Sequence, residues 1–298
     1  MKRLAAVAFA GLGAACVAQG NETAIVETAA TPRPAPPPAP APSPPRPAAF
    51  VYDGQLTQGG WIRGQVPPGT VTARLGEQAL AFDADGRFFA AFDRDAGPVS
   101  TLTARLRNGQ EIESALAISP RAWDIERINA SPTANVPSAE FQARRRPELE
   151  RIAASRQVES GSQGWRQDFI WPATGRISGR FGSQRVYRGE PGSYHSGLDI
   201  AGGSGTTYLA PADGVVVLAA EAPFTLEGYL LIIDHGMGLS SAFLHSSALL
   251  VREGETVRQG QAIGRIGMTG RATGPHLHWG LVWRGARLDP LLFVGPMN

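Results

Sequence analysis

Apolar residues alternate with polar ones in short runs between Ala49 and Pro120. Val71, Ala73 and Leu75 fall on every second position, as do Leu102, Ala104 and Leu106, and then Leu116 and Ile118. A period of two is the mark of a strand with one buried face. Asp85-Gly86 and Asn108-Gly109 stand between runs as hairpin turns. These signals predict a small β-sandwich over residues 49–120. From Arg121 to about residue 160 the pattern changes to a charged helical one, "SAEFQARRRPELERIAASR", read as a connector. The Arg144–Arg146 run is expected on its solvated face, and Pro147 is expected to break the helix or open a new first turn. Beyond it, residues 161–298 return to closely spaced strands: "GVVVLAA", "YLLIIDHG", "LSSAFLHSS", "QAIGRIG" and "HLHWGLVW". The fold class expected there is an all-β domain built as an antiparallel two-layer sandwich.

The first 48 residues carry no such pattern. "MKRLAAVAFAGLGAACVAQG" has a basic start, an apolar run from Leu4 to Val17 and small residues after it, the layout of a secretory signal peptide over residues 1–20. Cleavage near Ala18 or Gly20 predicts soluble export. Leu12-Gly13-Ala14-Ala15-Cys16 bears a faint likeness to a lipoprotein box, with Gly13 where an aliphatic residue belongs, so a lipid on Cys16 is the lesser expectation. Residues 21–48 are a linker: ten of the chain's 24 prolines lie between Pro32 and Pro47. That density favours polyproline II, and sixteen such residues reach roughly 50 Å, a spacer's length.

Composition narrows the function. The formal net charge is +2, and removal of Lys2 and Arg3, with no acid before Glu22, leaves 2 − 2 = 0. A neutral mature chain offers no field to attract nucleic acid or an anionic membrane. The single Cys16 rules out a disulfide framework and cysteine-based zinc sites. Asp83 and Asp85 in "DADGRF" lack the later acidic ligands of a calcium loop and read as turn residues.

All five histidines (195, 235, 245, 276 and 278) lie in the last third of the chain. Residues two apart on a strand point to one face, so His276 and His278 in "GPHLHWGL" enter one site together. His195 and Asp199 in "YHSGLDIA" share a face if the backbone is extended. Two imidazoles and a carboxylate form a ligand set suited to zinc with an open fourth position, leaving a histidine free to act as a base.

The words "HSGLDIA", "APADGVVV", "IIDHG", "FLH", "VREGETVRQGQAIGRIGMTG" and "TGPHLHWGL" resemble, in order and spacing, the LytM/lysostaphin-type zinc peptidases over residues 170–295. That family cuts peptide cross-links in peptidoglycan. The resemblance implies a sandwich of the duplicated hybrid motif type with an open groove. It implies zinc as the cofactor, His195, Asp199 and His278 as its ligands, His276 as general base, and His245 as the histidine that orients water or steadies the oxyanion. His235 matches no metal position and reads as structural. Tyr187 and Tyr194 are both candidates for the auxiliary tyrosine that the family often carries.

The expected function is therefore a zinc-dependent endopeptidase acting on peptidoglycan peptides, exported to a Gram-negative periplasm, with no transmembrane segment in the mature chain. Two rivals follow from the same words. The hairpin in "VREGETVRQGQAIG" is like that of biotinyl and lipoyl carriers, but those need a modifiable lysine and no lysine follows Lys2. Metal-free relatives activate separate cell-wall amidases, and they would lack the ligands that are filled here.

Overall fold

The computed structural model describes residues 48–131 and 138–297. The expected signal peptide and nearly all of the proline-rich linker lie outside the described residues. The alternating N-terminal runs form two small sheets. β1 (Val51–Gly54), β2 (Trp61–Gln65) and, later in the chain, Arg87–Ala91 make one. The other contains β3 (Thr70–Leu75), β4 (Gln78–Ala79), β6 (Val99–Leu106) and β7 (Glu111–Ala117), and Arg87–Ala91 is β5. Every second residue of β6 is buried, Leu102, Ala104 and Leu106, as the period predicts. Asp83 is the turn residue it was read to be: its carboxylate accepts from the amides of Asp85 and Arg87, both at 2.9 Å.

β8 (Ile125–Ile128) follows, then α1 (Ala139–Ser155), the one α-helix among the described residues. Ser138 caps it, its hydroxyl accepting from Phe141 N at 3.1 Å. The structure corrects two expectations here. The helix runs through Pro147 without a break. Proline removes the bond to the carbonyl four residues back, but Ala143 and Pro147 are both exposed, so water can satisfy what is lost. And the arginine run is not wholly solvated. Arg144 and Arg146 face out, whereas Arg145 turns inward and forks onto Glu227 at 2.6 and 2.7 Å. Glu148, one turn on, accepts from Thr225 N and Oγ1 at 2.6 and 2.7 Å. Replacing Arg145 by methionine leaves two half-buried carboxylates without their cation, so a loss of about 2 kcal/mol is expected in urea unfolding.

The remaining strands are β9 (Ile177–Gly179), β10 (Gln184–Tyr187), β11 (Glu190–Tyr194), β12 (Leu198–Ala201), β13 (Thr207–Leu209), β14 (Gly214–Ala219) and β15 (Tyr229–Gly236). After them come β16 (Leu239–Ser246), β17 (Ala248–Leu249), β18 (Thr256–Val257), β19 (Ala262–Arg265), β20 (His276–Trp283) and β21 (Ala286–Leu288). Eight of them form one antiparallel sheet in the order β18-β14-β15-β16-β20-β12-β9, with β21 added along β20. The described residues are thus nearly all β apart from α1, as the patterning predicts.

The central sheet has two unlike faces. Leu231, Ile233, Phe243, Trp279, Leu281 and Trp283 point into the main core. That core is continuous with the N-terminal sheets, where Phe89 meets Trp283 edge-on at 6.3 Å and Trp61 Nε1 donates to Leu292 O at 2.9 Å. The opposite face carries Ile232, Ala242 and Leu244 beside His278. Ile152 of α1 packs on this face with Leu218, Leu230 and Ile232, so the helix lies on the side of the sheet that carries the histidines.

Candidate metal centre and active site

Strand register brings the ligands together. β12 and β20 pair antiparallel with Asp199 opposite His278 and Ala201 opposite His276, and Leu244 of β16 flanks His278 on the other side. Within β20 the odd residues Leu277 and Trp279 are fully buried in the core, which leaves the even-numbered histidines on the other face. His195 arrives from the end of the β10–β11 hairpin, one turn before β12. Its Nε2 lies 3.1 Å from Asp199 Oδ1 and 3.1 Å from His278 Nδ1, and that Nδ1 is 2.8 Å from the same carboxylate oxygen. Three donor atoms thus form a nearly equilateral triangle. A tetrahedral ion with bonds of 2.0–2.2 Å sets its ligand atoms about 3.3–3.6 Å apart, so these atoms fit a zinc-sized ion after spreading by a few tenths of an ångström.

Glycine clears the space that this triangle needs. A Cβ on Gly197 would stand 2.6 Å from His278 Nε2 and 2.6 Å from Trp279 O, and one on Gly179 would stand 2.4 Å from Asp199 Oδ2. No side chain fits at either position beside the ligands.

Three of the four imidazoles, those of His195, His276 and His245, are oriented from behind by a backbone carbonyl. A carbonyl can only accept, so His195 Nδ1 carries the proton that it donates to Arg180 O at 3.1 Å, which leaves Nε2 as the nitrogen that faces the cluster. His276 Nδ1 likewise donates to Gly274 O at 2.8 Å, and its Nε2 stands 3.7 Å from Asp199 Oδ1, outside the triangle but facing it. His245 Nδ1 donates to Thr269 O at 2.9 Å, and its ring lies 4.9 Å from that of His276. His245 also adopts φ +65, a left-handed backbone rare for a residue with a side chain, held by its amide donating to Glu227 O at 2.8 Å. Such strain, on the order of 1–3 kcal/mol, persists where the surroundings fix it. Here it fixes a histidine at the edge of the cluster.

The charges follow from burial and from the shared carboxylate. Burial would raise Asp199, but hydrogen bonds from His195 and His278 hold it far below the usual carboxylate range. Burial would lower His195, yet the bond to Asp199 and its charge push it up overall. His278 is lowered, because burial there outweighs the same carboxylate and His195 repels a second charge. The shared carboxylate therefore favours the charged form of His195 over that of His278. Burial also lowers His245, with His276 and His278 adding to the effect.

His235 is not part of this centre. It is fully buried, with Nδ1 donating to Asp213 O at 2.7 Å and Nε2 accepting from Ser241 Oγ at 2.8 Å. Burial pushes its pKa down to about 4. Between that value and the ordinary 6.5 the unfolded chain binds the proton and the native protein does not, so stability falls as pH drops through this window. The expected loss is about 3 kcal/mol. Urea unfolding at pH 7 and pH 4 should show this extra loss in the wild type and not in His235→Leu. Parallel curves would assign the acid sensitivity to another group.

The centre opens on one side and is roofed on the other. A cavity of about 810 Å³ is lined by His195 and Asp199 with Tyr187, Tyr194, Asp124 and Arg271. On the far side His278 faces a smaller space of about 180 Å³ beneath Arg145 and Leu149 of α1. Sequence reasoning named all five groups now seen together, the three ligand candidates with His276 and His245. Both tyrosines line the open cavity. It missed Arg180 O, Thr269 O, the clearing glycines and the roof formed by α1. Only the density of glycine in "HSGLDIAGG" was a visible signal for any of these.

Residues 193–290 match the profile of Peptidase family M23, and the chain thus carries a domain of that family. It is 39% identical over 126 residues to the peptidoglycan DD-endopeptidase ShyA of Vibrio cholerae, which covers 41% of this chain and 28% of that protein. It is 37% identical over 126 residues to the murein hydrolase activator NlpD of Escherichia coli, 42% of this chain and 30% of that one. The chain therefore spans less than a third of the length of either relative. Among solved structures, a "putative peptidase M23" from Pseudomonas aeruginosa superposes with a TM-score of 0.61 at 26% identity, covering 80% of this chain and 95% of that one. Among the described residues, no helix is long and apolar enough to cross a membrane.

Proposed function

We propose that the protein is a zinc-dependent endopeptidase, exported to the periplasm, that hydrolyses stem or cross-link peptides of peptidoglycan. The observation that carries this reading is the triangle of His195 Nε2, Asp199 Oδ1 and His278 Nδ1 with His276 Nε2 facing it unused. A relative named for activation rather than cleavage raises the alternative of a binding module. Filled ligand positions with two further histidines at reach favour the enzyme.

His195, Asp199 and His278 would hold the metal, which supplies the positive charge that polarises a peptide carbonyl and acidifies an attacking water. His276 performs the proton transfers. Its Nδ1–H stays on Gly274 O, so Nε2 takes the water's proton and later delivers it to the leaving amine. His245, kept neutral by burial and with its Nδ1–H on Thr269 O, presents a lone pair to the cleft. That tautomer suits accepting a hydrogen bond from the attacking water. It does not suit stabilising an oxyanion, which needs a donor. The open cavity beside His195 receives an extended peptide.

The test is digestion of cross-linked peptidoglycan by the purified protein alone, followed by mass analysis of the products. New amines with intact glycan strands, lost in a chelator and restored by zinc, are expected. If the protein alone releases nothing but accelerates an added amidase, the activator reading replaces this one.

A further inference from the structure

One loop of the N-terminal sheets, Asp93-Arg94-Asp95 between β5 and β6, reaches the segment that leads to His195. Arg94 is buried at 6% exposure although nothing in the chemistry above uses it. Its Nη2 donates to Gly182 O and to Gln184 Oε1, both at 3.0 Å, and its Nη1 donates to Asp95 at 2.7 Å. The guanidinium stacks over Tyr194 at 4.6 Å and Trp123 at 5.2 Å. Its Nε is buried without a protein partner.

What Arg94 grips is the turn that builds His195. Gly182 N donates to His195 O at 2.9 Å, and His195 N donates to Ser183 O at 2.8 Å. Two residues before Gly182, Arg180 O receives the Nδ1–H that sets the tautomer and ring plane of His195. Gly182 itself, at φ +81, lies so close to Trp123 that a Cβ would stand 2.2 Å from the indole. The neighbouring Asp93 reaches the other ligand-bearing element, its Oδ2 accepting from Arg287 N of β21 at 2.8 Å, and β21 pairs with β20. One loop from outside the family-matched segment therefore holds both the His195 turn and the strand hairpin that carries His278.

We infer that Arg94 is a positioning residue of the metal centre, acting through Gly182 and Arg180 O to fix the ring of His195, so that the N-terminal sheets form part of the metal site. The inference rests on the metal reading proposed above. Groups that orient a ligand imidazole typically change metal affinity by 10–100-fold when lost.

The experiment uses the full chain. Zinc affinity is measured by competition with a chelating dye, and the visible bands of the cobalt-substituted protein are recorded, for the wild type, Arg94→Met, Arg94→Lys and Arg63→Met. Arg63 is a second inward-facing cation that ties the N-terminal sheets to the later chain, through Asp168 and the Gln167 carbonyl, and it touches nothing in the 180–195 segment. Arg94→Met is expected to bind zinc 10–100-fold more weakly with shifted cobalt bands. Arg94→Lys keeps the cation over the rings, but one ammonium cannot replace both Nη2, on Gly182 O and Gln184 Oε1, and Nη1, on Asp95, so it should lie between. Arg63→Met should retain wild-type affinity and bands, whatever it does to stability. Equal affinity and an unchanged spectrum in a folded Arg94→Met would overturn the inference, as would an equal loss in Arg63→Met. A wild type that binds no zinc is a separate result, which removes the metal reading and this inference with it.

Discussion

His276→Ala is expected to keep its zinc and to lose turnover by a factor of about 100 to 10,000, the usual share of a positioned base. His278→Ala is expected to lose metal and turnover together. The two residues share a strand face and differ by two positions, so nothing in their chemistry separates them. Their surroundings do. His278 Nδ1 lies 2.8 Å from Asp199 Oδ1 and 3.1 Å from His195 Nε2, inside the triangle, while His276 Nε2 stands off at 3.7 Å from that oxygen. His276 is held from behind by Gly274 O, a link between neighbours that the alanine variant leaves nothing else to satisfy. Metal content by atomic absorption, set beside peptide release, decides the assignment. Equal metal loss in both variants would show the roles to be wrongly divided.

Zinc at about a thousand times its dissociation constant is expected to stabilise the wild type by about 4 kcal/mol, and Asp199→Ala by nothing. The native chain offers three converged ligand atoms and the unfolded chain offers none in place, so binding free energy appears as folding free energy. Thermal unfolding with and without zinc reads this directly and needs no substrate. The gain should shrink as pH falls, because protons compete for the histidine nitrogens. His195, whose folded pKa is raised by Asp199, takes that proton first. A zinc-induced shift of equal size in Asp199→Ala would place the metal elsewhere on the chain.

Local chemistry was legible in the sequence wherever it depended on spacing along one strand. The alternation in "HLHWGLVW" was enough to put His276 and His278 on one face, and the structure buries Leu277 and Trp279 on the other. Asp83 was read correctly as a turn residue for the same reason, since its partners are two and four positions away. What escaped was set by contacts between distant segments. Nothing near Arg145 announces that Glu227, 82 positions later, will draw it inward. Nor does "FLHSS" announce a left-handed histidine, because the cause lies in Glu227 O and Thr269 O. Pro147 misled for a simpler reason. Its usual cost includes a carbonyl left without a partner, and here Ala143, which carries that carbonyl, is an exposed residue.

β20 is paired on both sides, with Asp199 on one flank and Leu244 on the other both set against His278. Deleting a single residue between His278 and Trp283 would force the strand to choose which half keeps its place. If Trp283 stays in the core, both histidines move into it and Trp279 is turned out; if the histidines and Trp279 stay, Trp283 leaves the core. Insertions before Pro275 carry no such dilemma, since the loop there can lengthen without changing parity. A scan of one-residue deletions and insertions should therefore show an abrupt boundary at the start of this strand, with folding and metal capture failing together on one side of it and surviving together on the other.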